Sequence, residues 1–181
     1  ILAVCFGDEN LSKNLIKYLF LSSDERGYYW MVLKEIGASS LLWAIPQVST
    51  WRMMYSDRQH IIKQEFLRLC RPAFNNQAVK AVLKKSLHSS SERDLNCLYI
   101  EALGNLGAID EKDYLLEQLN STDDQACLSA INALEAIKDS STIPHLVQKR
   151  YHANEWVRQK AAEAIRTILR EQAGAGEPVS E

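Results

Sequence analysis

Lys80, Lys84 and His88 recur at four-residue intervals, with Gln77 and Lys85 flanking them. Residues four apart share one face of a helix, so the spacing describes a basic strip, with Ala78, Val79, Val82, Leu83 and Leu87 forming the opposite, apolar side. Such a strip suits an acidic peptide or a phosphate backbone. The plainer alternative is a solvated face paired with Asp113 and Glu117 on a neighbouring helix, and three cations are few for phosphate-driven binding. A second group is aromatic. Trp51, Met53, Met54 and Tyr55 follow the loop signals Pro46 and Ser49-Thr50. If exposed, they have the composition of a protein-binding hot spot, with Trp51, Met54 and Tyr55 as apolar anchors. If turned inward, the same residues are core or the start of a further helix. Trp30 and Trp43 lie on helical stripes and read as core, and Trp156, at the start of a terminal helix, reads as packing.

Catalytic chemistry finds little to work with. The histidines are His60, His88, His145 and His152. His145 and His152 stand seven apart on or near one helix, but no Cys or carboxylate has the spacing of a third metal ligand. GxGxxG, P-loop, HExxH and GxSxG patterns are all missing from the sequence. Cys5, Cys70, Cys97 and Cys127 form no CxxC pair, and each sits among apolar residues, as small buried hydrophobes in a reducing compartment do. No basic neighbour marks any of them as an activated thiol. The expectation is a protein without catalytic residues, metal or cofactor.

Charge is uneven. The whole chain of 181 residues has a formal charge of −2, which argues against nucleic acid as the partner. Residues 57–90 nevertheless carry seven Lys/Arg against two Asp/Glu, and residues 91–127 carry two against nine. These are adjoining basic and acidic surfaces, or neighbouring repeats that attract each other. The most apolar stretch, Tyr28 to Ala44, is broken by Lys34 and Glu35 and is too short to span a bilayer. The expected location is cytoplasmic. Ile1-Leu2-Ala3-Val4 reads as the end of a helix begun earlier, so the expectation includes a longer parent protein and leaves room for an upstream membrane anchor.

The elements that would position these residues follow from a repeat. Ala102-Leu103-Gly104-Asn105-Leu106-Gly107 aligns, at a spacing of 31, with Ala133-Leu134-Glu135-Ala136-Ile137-Lys138 and then with Ala164-Ile165-Arg166-Thr167-Ile168-Leu169. A period of this size indicates stacked helix pairs, none of which can bury its apolar face alone. Each unit reads as helix A, a tight turn and helix B. Ser91-Glu92-Arg93-Asp94 and Thr122-Asp123-Asp124-Gln125 have the form of N-caps. Leu95, Leu98, Tyr99, Ala102, Leu103 and Leu106 form one stripe, and Ala126, Ala130, Ile131, Ala133, Leu134 and Ile137 the next. Gly107 closes the first of these helices; their B partners start near Asp110, with Tyr114, Leu115 and Leu119 buried, and near Ser141, with Pro144 in the first turn.

Glu155 to Arg170 supplies a lone helix A, with Val157, Ala161, Ile165, Ile168 and Leu169 packing backward and Arg158, Glu163, Arg166 and Arg170 facing water. Upstream, Ser56-Asp57-Arg58-Gln59 caps a helix A through Cys70, and a helix B runs from about Asn75 to His88. Pro46 is expected to cut short the helix that starts at Ala38. Two earlier units are read around Gly7-Asp8 and from Ser22 to Gly37.

On these residues the chain resembles the HEAT-like repeat family, in particular its short-period, phycobilisome-lyase-type group. Val157-Arg158-Gln159-Lys160-Ala161-Ala162-Glu163-Ala164-Ile165 matches the family's V-R-x-x-A-A-x-A-L run, Arg26 falls at the position of Arg158, and Gly104 and Gly107 match its L-G-x-L-G helix ending. The resemblance covers 91–170 well and 1–90 loosely, where bulkier residues such as Trp30 and Phe66 replace Ala and Gly. It implies an all-α, right-handed α-α superhelix of about five helix pairs plus a terminal capping helix, over residues 1–171, with 172–181 as a disordered tail. It also implies that B helices line a concave surface, which would place Lys80, Lys84 and His88 in a groove. The function expected is a non-catalytic scaffold or adaptor that holds a protein or peptide partner through that groove, the Trp51, Met54 and Tyr55 segment, or both. Two alternatives come with the family: a DNA-repair glycosylase-like role, and a bilin-lyase-like role.

Overall fold

The computed structural model describes residues 38–54 and 56–175, which contain eight α-helices and no β-strand. The two earlier units expected from residues 1–37 lie outside the described residues. The chain divides into two compact units, residues 1–90 and 91–181.

In the first unit, α1 (Ala38–Met54) packs against α2 (Gln59–Leu69) and α3 (Gln77–Ser89). Pro46 does not end α1. The helix continues through it to Met54, and Pro46 itself is exposed. A mid-helix proline removes one backbone hydrogen bond and costs roughly 3 kcal/mol. Leu41, Ala44, Ile45, Val48 and Trp51 form an unbroken buried stripe on both sides of it, and one fully buried Leu, Ile or Val contributes roughly 1.5–3 kcal/mol. Several such side chains outweigh one lost bond. The stripe meets Ile62, Phe66 and Leu69 of α2 and Val79, Leu83 and Leu87 of α3, all buried. Asn76 caps α3 by accepting the Val79 N–H at 2.9 Å.

In the second unit the period is geometric. The A helices α4 (Arg93–Asn105), α6 (Asp124–Ile137) and α8 (Glu155–Ala175) begin 31 residues apart, as do the B helices α5 (Lys112–Leu119) and α7 (Ile143–Lys149). Short 3₁₀ turns at Ile109–Glu111 and Ser140–Thr142 lead into the B helices. The helix α6 lies between α4 and α8 and also supports α5, while α7 packs on α8. The expected stripes are largely buried: Leu95, Leu98, Tyr99, Ala102, Leu103 and Leu106 on the first layer, and Ala130, Ile131, Ala133 and Leu134 on the second, where Ala126 and Ile137 are half-buried. Leu115 and Leu119 are buried as expected, whereas Tyr114 is half-buried.

Two layers approach closely at Gly104. A Cβ placed there would lie 2.2 Å from Ala133 Cα, so glycine is what allows α4 and α6 to touch backbone to backbone. Gly107 ends α4 with a φ of 67°, and Lys138, its counterpart one period on, takes a φ of 60°.

Three expectations need correction here. Ser91 to Asp94 is not a side-chain cap, because α4 starts at Arg93 after Glu92, whose side chain makes no capping bond. Asp123 does cap α6, accepting the Gln125 N–H at 2.8 Å, and it also binds Arg93. Leu169 is 50% exposed rather than packed backward. Part of the expected tail is helical, since α8 runs on to Ala175.

Candidate functional site

The basic strip on α3 is real as a sequence pattern but does not form one surface. Lys80 is only 5% exposed, Lys84 is half-buried and His88 is exposed, its Nδ1 lying 2.6 Å from the Lys84 carbonyl oxygen. The cause is helical drift. Each four-residue step rotates the side chain by about 40°, and the buried arc of α3 is set by Val79, Leu83 and Leu87. Lys80 falls at the edge of that arc, Lys84 beyond it and His88 on the open side. Ala78, expected inside, is exposed. A groove contact through all three cations is therefore corrected to a surface that only Lys84, Lys85 and His88 reach.

The aromatic segment divides in a similar way. Trp51 is 8% exposed, on the stripe of Leu41, Ala44 and Val48, so it is a core residue and not an open anchor. Met53, one residue beyond Arg52, is 70% exposed. The side chain of Met54, and Tyr55 altogether, lie outside the described residues. The three-to-four spacing from Leu41 to Trp51 was visible in the sequence; reading Pro46 as a stop hid it.

Exposed aromatic surface occurs instead at the turn from α7 to α8. Tyr151 is 85% exposed and Trp156 is 72% exposed, contrary to the expectation that Trp156 packs. The stripe of α8 is Val157, Ala161, Ala164 and Ile168, all fully buried. Trp156 and Leu169 each lie one residue off that stripe, about 100° round the helix. The register of the buried residues was the available signal, and residue type obscured it.

This turn is held firmly. Asn154 accepts the Trp156 N–H at 2.8 Å and donates from its side chain to Asp124 Oδ2 at 2.6 Å. The Asn154 N–H reaches His152 Nδ1 at 3.1 Å, and Arg158 donates to the carbonyl oxygens of His152 and Ala153 at 2.8 and 2.7 Å. The matched arginine of the repeat motif thus stitches the turn to its own helix, while Asp124 ties it to the preceding layer.

Beside Trp156 a shallow trough runs along the outer side of α8, lined by Trp156, Gln159, Lys160, Ala162, Glu163 and Arg166. Lys160 spans the helix to meet Glu135 on α6 at 2.9 Å and Glu163 at 3.1 Å. Partial burial pulls against its charged form, but the hydrogen bonds and charges of those two carboxylates outweigh it and raise its pKa. Among the described residues Arg166 forms no ion pair.

His152 lies past the end of α7, so it does not share a helix face with His145. Among the described residues, no three His, Cys, Asp or Glu side chains are grouped to hold a metal ion. Cys70 and Cys127 are buried and Cys97 is half-buried. Burial raises the thiol pKa of all three, and Cys127 donates to the Leu119 carbonyl oxygen at 3.2 Å. Cys127 has Lys149 near enough to oppose that shift, a neighbour the linear sequence did not show, yet burial still dominates. No helix among the described residues is long and apolar enough to cross a membrane.

Helix pairs repeating every 31 residues, with rigid turns presenting side chains between layers, define an all-α repeat protein. The kind of repeat is indicated by comparison with family models: residues 80–166 match HEAT repeats, which together with the helix pairs supports a HEAT-like repeat protein. No curated protein matches the chain. HEAT repeats commonly mediate protein–protein interaction and are typically non-catalytic.

Proposed function

We propose that the chain is a scaffold that holds a protein partner on the α7–α8 turn and the adjoining face of α8. The observation carrying this reading is the pair of exposed aromatics, Tyr151 and Trp156, on a turn fixed at both ends by the Asp124, Asn154 and Arg158 contacts. Aromatic side chains supply large contact area, and a turn already ordered before binding loses little entropy when a partner arrives. The open part of α3, with Lys84, Lys85 and His88, is a second, polar contact surface of the same scaffold.

The test is comparative capture with the full chain as bait, using wild type, Tyr151→Ala with Trp156→Ala, and Lys84→Glu with Lys85→Glu. A partner retained by wild type and lost by the aromatic double variant, with circular dichroism unchanged, supports the reading. An identical set of captured proteins for wild type and the aromatic variant removes it. A gel shift at two salt concentrations separates this role from nucleic-acid binding, which would weaken steeply with added salt.

A further inference from the structure

The three A helices of the second unit occupy equivalent positions, so the outer face of α8 corresponds to a face of α4 covered by α6 and a face of α6 covered by α8. At both covered faces the earlier helix supplies a carboxylate and the later helix supplies the donor. Glu101 of α4 accepts from Ser129 of α6 at 3.1 Å. Glu135 of α6 accepts from Thr167 of α8 at 2.8 Å and pairs with Lys160 at 2.9 Å. On α8 the position of Glu101 keeps a carboxylate, Glu163, but the position of Glu135 reverses its charge. Arg166 stands one period after Glu135, and the carboxylate of Glu163, one turn away, is already held by Lys160. Apolar surface remains beside Arg166, in Ala162, Trp156 and the half-exposed Leu169.

We propose that the outer face of α8 is a docking groove for an amphipathic α-helix of a partner protein, which presents a carboxylate to Arg166 and apolar side chains to Trp156 and Ala162. A helix is the occupant because helices fill the two equivalent faces. An acidic one is required because a further layer of the same kind would bring a hydroxyl or a lysine against Arg166, leaving no acceptor for the guanidinium. The proposal rests on the scaffold reading above and specifies its partner.

The probe is a peptide of residues 155–175 of this chain with Lys160→Glu, held helical by a staple on its outer side, compared with the native-sequence peptide. In its own layer Lys160 meets Glu135, so the charge-reversed peptide is the one matched to Arg166. Fluorescence anisotropy against the full chain should show the Lys160→Glu peptide binding about tenfold tighter than the native one, a difference of about 1.4 kcal/mol. Arg166→Glu in the full chain should invert the order. Equal binding of the two peptides, or no effect of Arg166→Glu, overturns the proposal. Light scattering that shows the full chain dimerising, with the dimer abolished by Arg166→Glu, overturns it in favour of a second copy as occupant. Partner capture lost with the aromatic double variant but kept with Arg166→Glu leaves the scaffold standing and removes only the acidic helix.

Discussion

The contact between α4 and α6 and the contact between α6 and α8 are built on one repeat position with different residues. Gly104 in the first layer lets two backbones meet, since a Cβ would come within 2.2 Å of Ala133 Cα. One period on, Glu135 reaches across to Lys160 and Thr167. A further period on, Arg166 is exposed and borders the trough. The same place in the fold thus passes from close apolar approach, through a polar bridge, to an open face. A repeat conserves the direction of a side chain, and the residue type decides whether a neighbour can be accepted there.

The contrast is most directly broken at Gly104. Gly104→Ala should destabilise the chain by roughly 3 kcal/mol in urea unfolding, because α4 and α6 must separate, and the gain in helix propensity of about 1 kcal/mol offsets only part. An unchanged midpoint would show that the close approach is not needed. Glu135→Ala should cost less, about 2 kcal/mol, by removing a charged acceptor from Lys160 and Thr167. A cost equal to that of Gly104→Ala would erase the distinction between the two contacts. Ser129→Ala, which removes one donor to the buried Glu101, should cost about 1 kcal/mol on the same measurement.

Ion pairs that link layers should be visible through pH. Hydrogen bonding from Arg93 holds the Asp123 carboxyl below the usual carboxylate range, and bonds from Ser141 and Lys112 do the same for Asp139. A carboxyl depressed in the folded state adds stability above its unfolded pKa and loses it as pH falls through its folded value. Thermal stability should therefore decline on acidification below about pH 4, and Asp123→Asn should flatten that decline. An acid limb identical in the variant would show that the Arg93 link contributes nothing. At the open end of the comparison, Trp156→Ala should shift stability by no more than about 0.5 kcal/mol, as expected for an exposed side chain. A larger loss in calorimetry would show that Trp156 belongs to the core after all.

Much of the fold was legible because burial recurs with the helical period. The starts of α4, α6 and α8, the Asp123 cap, the Gly107 ending and the stripes of Leu98, Tyr99, Ala102, Ala130 and Ala133 all follow from local patterns that repeat. The candidate surface was far less legible. Loop signals left Trp51 open between anchor and core, while residue type argued for exposing Lys80 and for burying Trp156 and Leu169; the packed helices put Trp51 in the core and reverse the other three. Spacing of four residues suggested a common face for Lys80, Lys84 and His88, yet the slow rotation of such a row carries it from core to solvent within two turns.

The linear chain alone determined that helices form, where the later ones begin and which stripes turn inward, because hydrogen bonding and apolar periodicity act over a few residues. Only the packed structure decided which flank of each stripe a neighbouring layer covers. That choice depends on how closely two helices approach, and here the approach is governed by Gly104 against Ala133 and by Glu135 against Lys160. Residues that lie dozens of positions apart set those distances, so no local pattern could contain them.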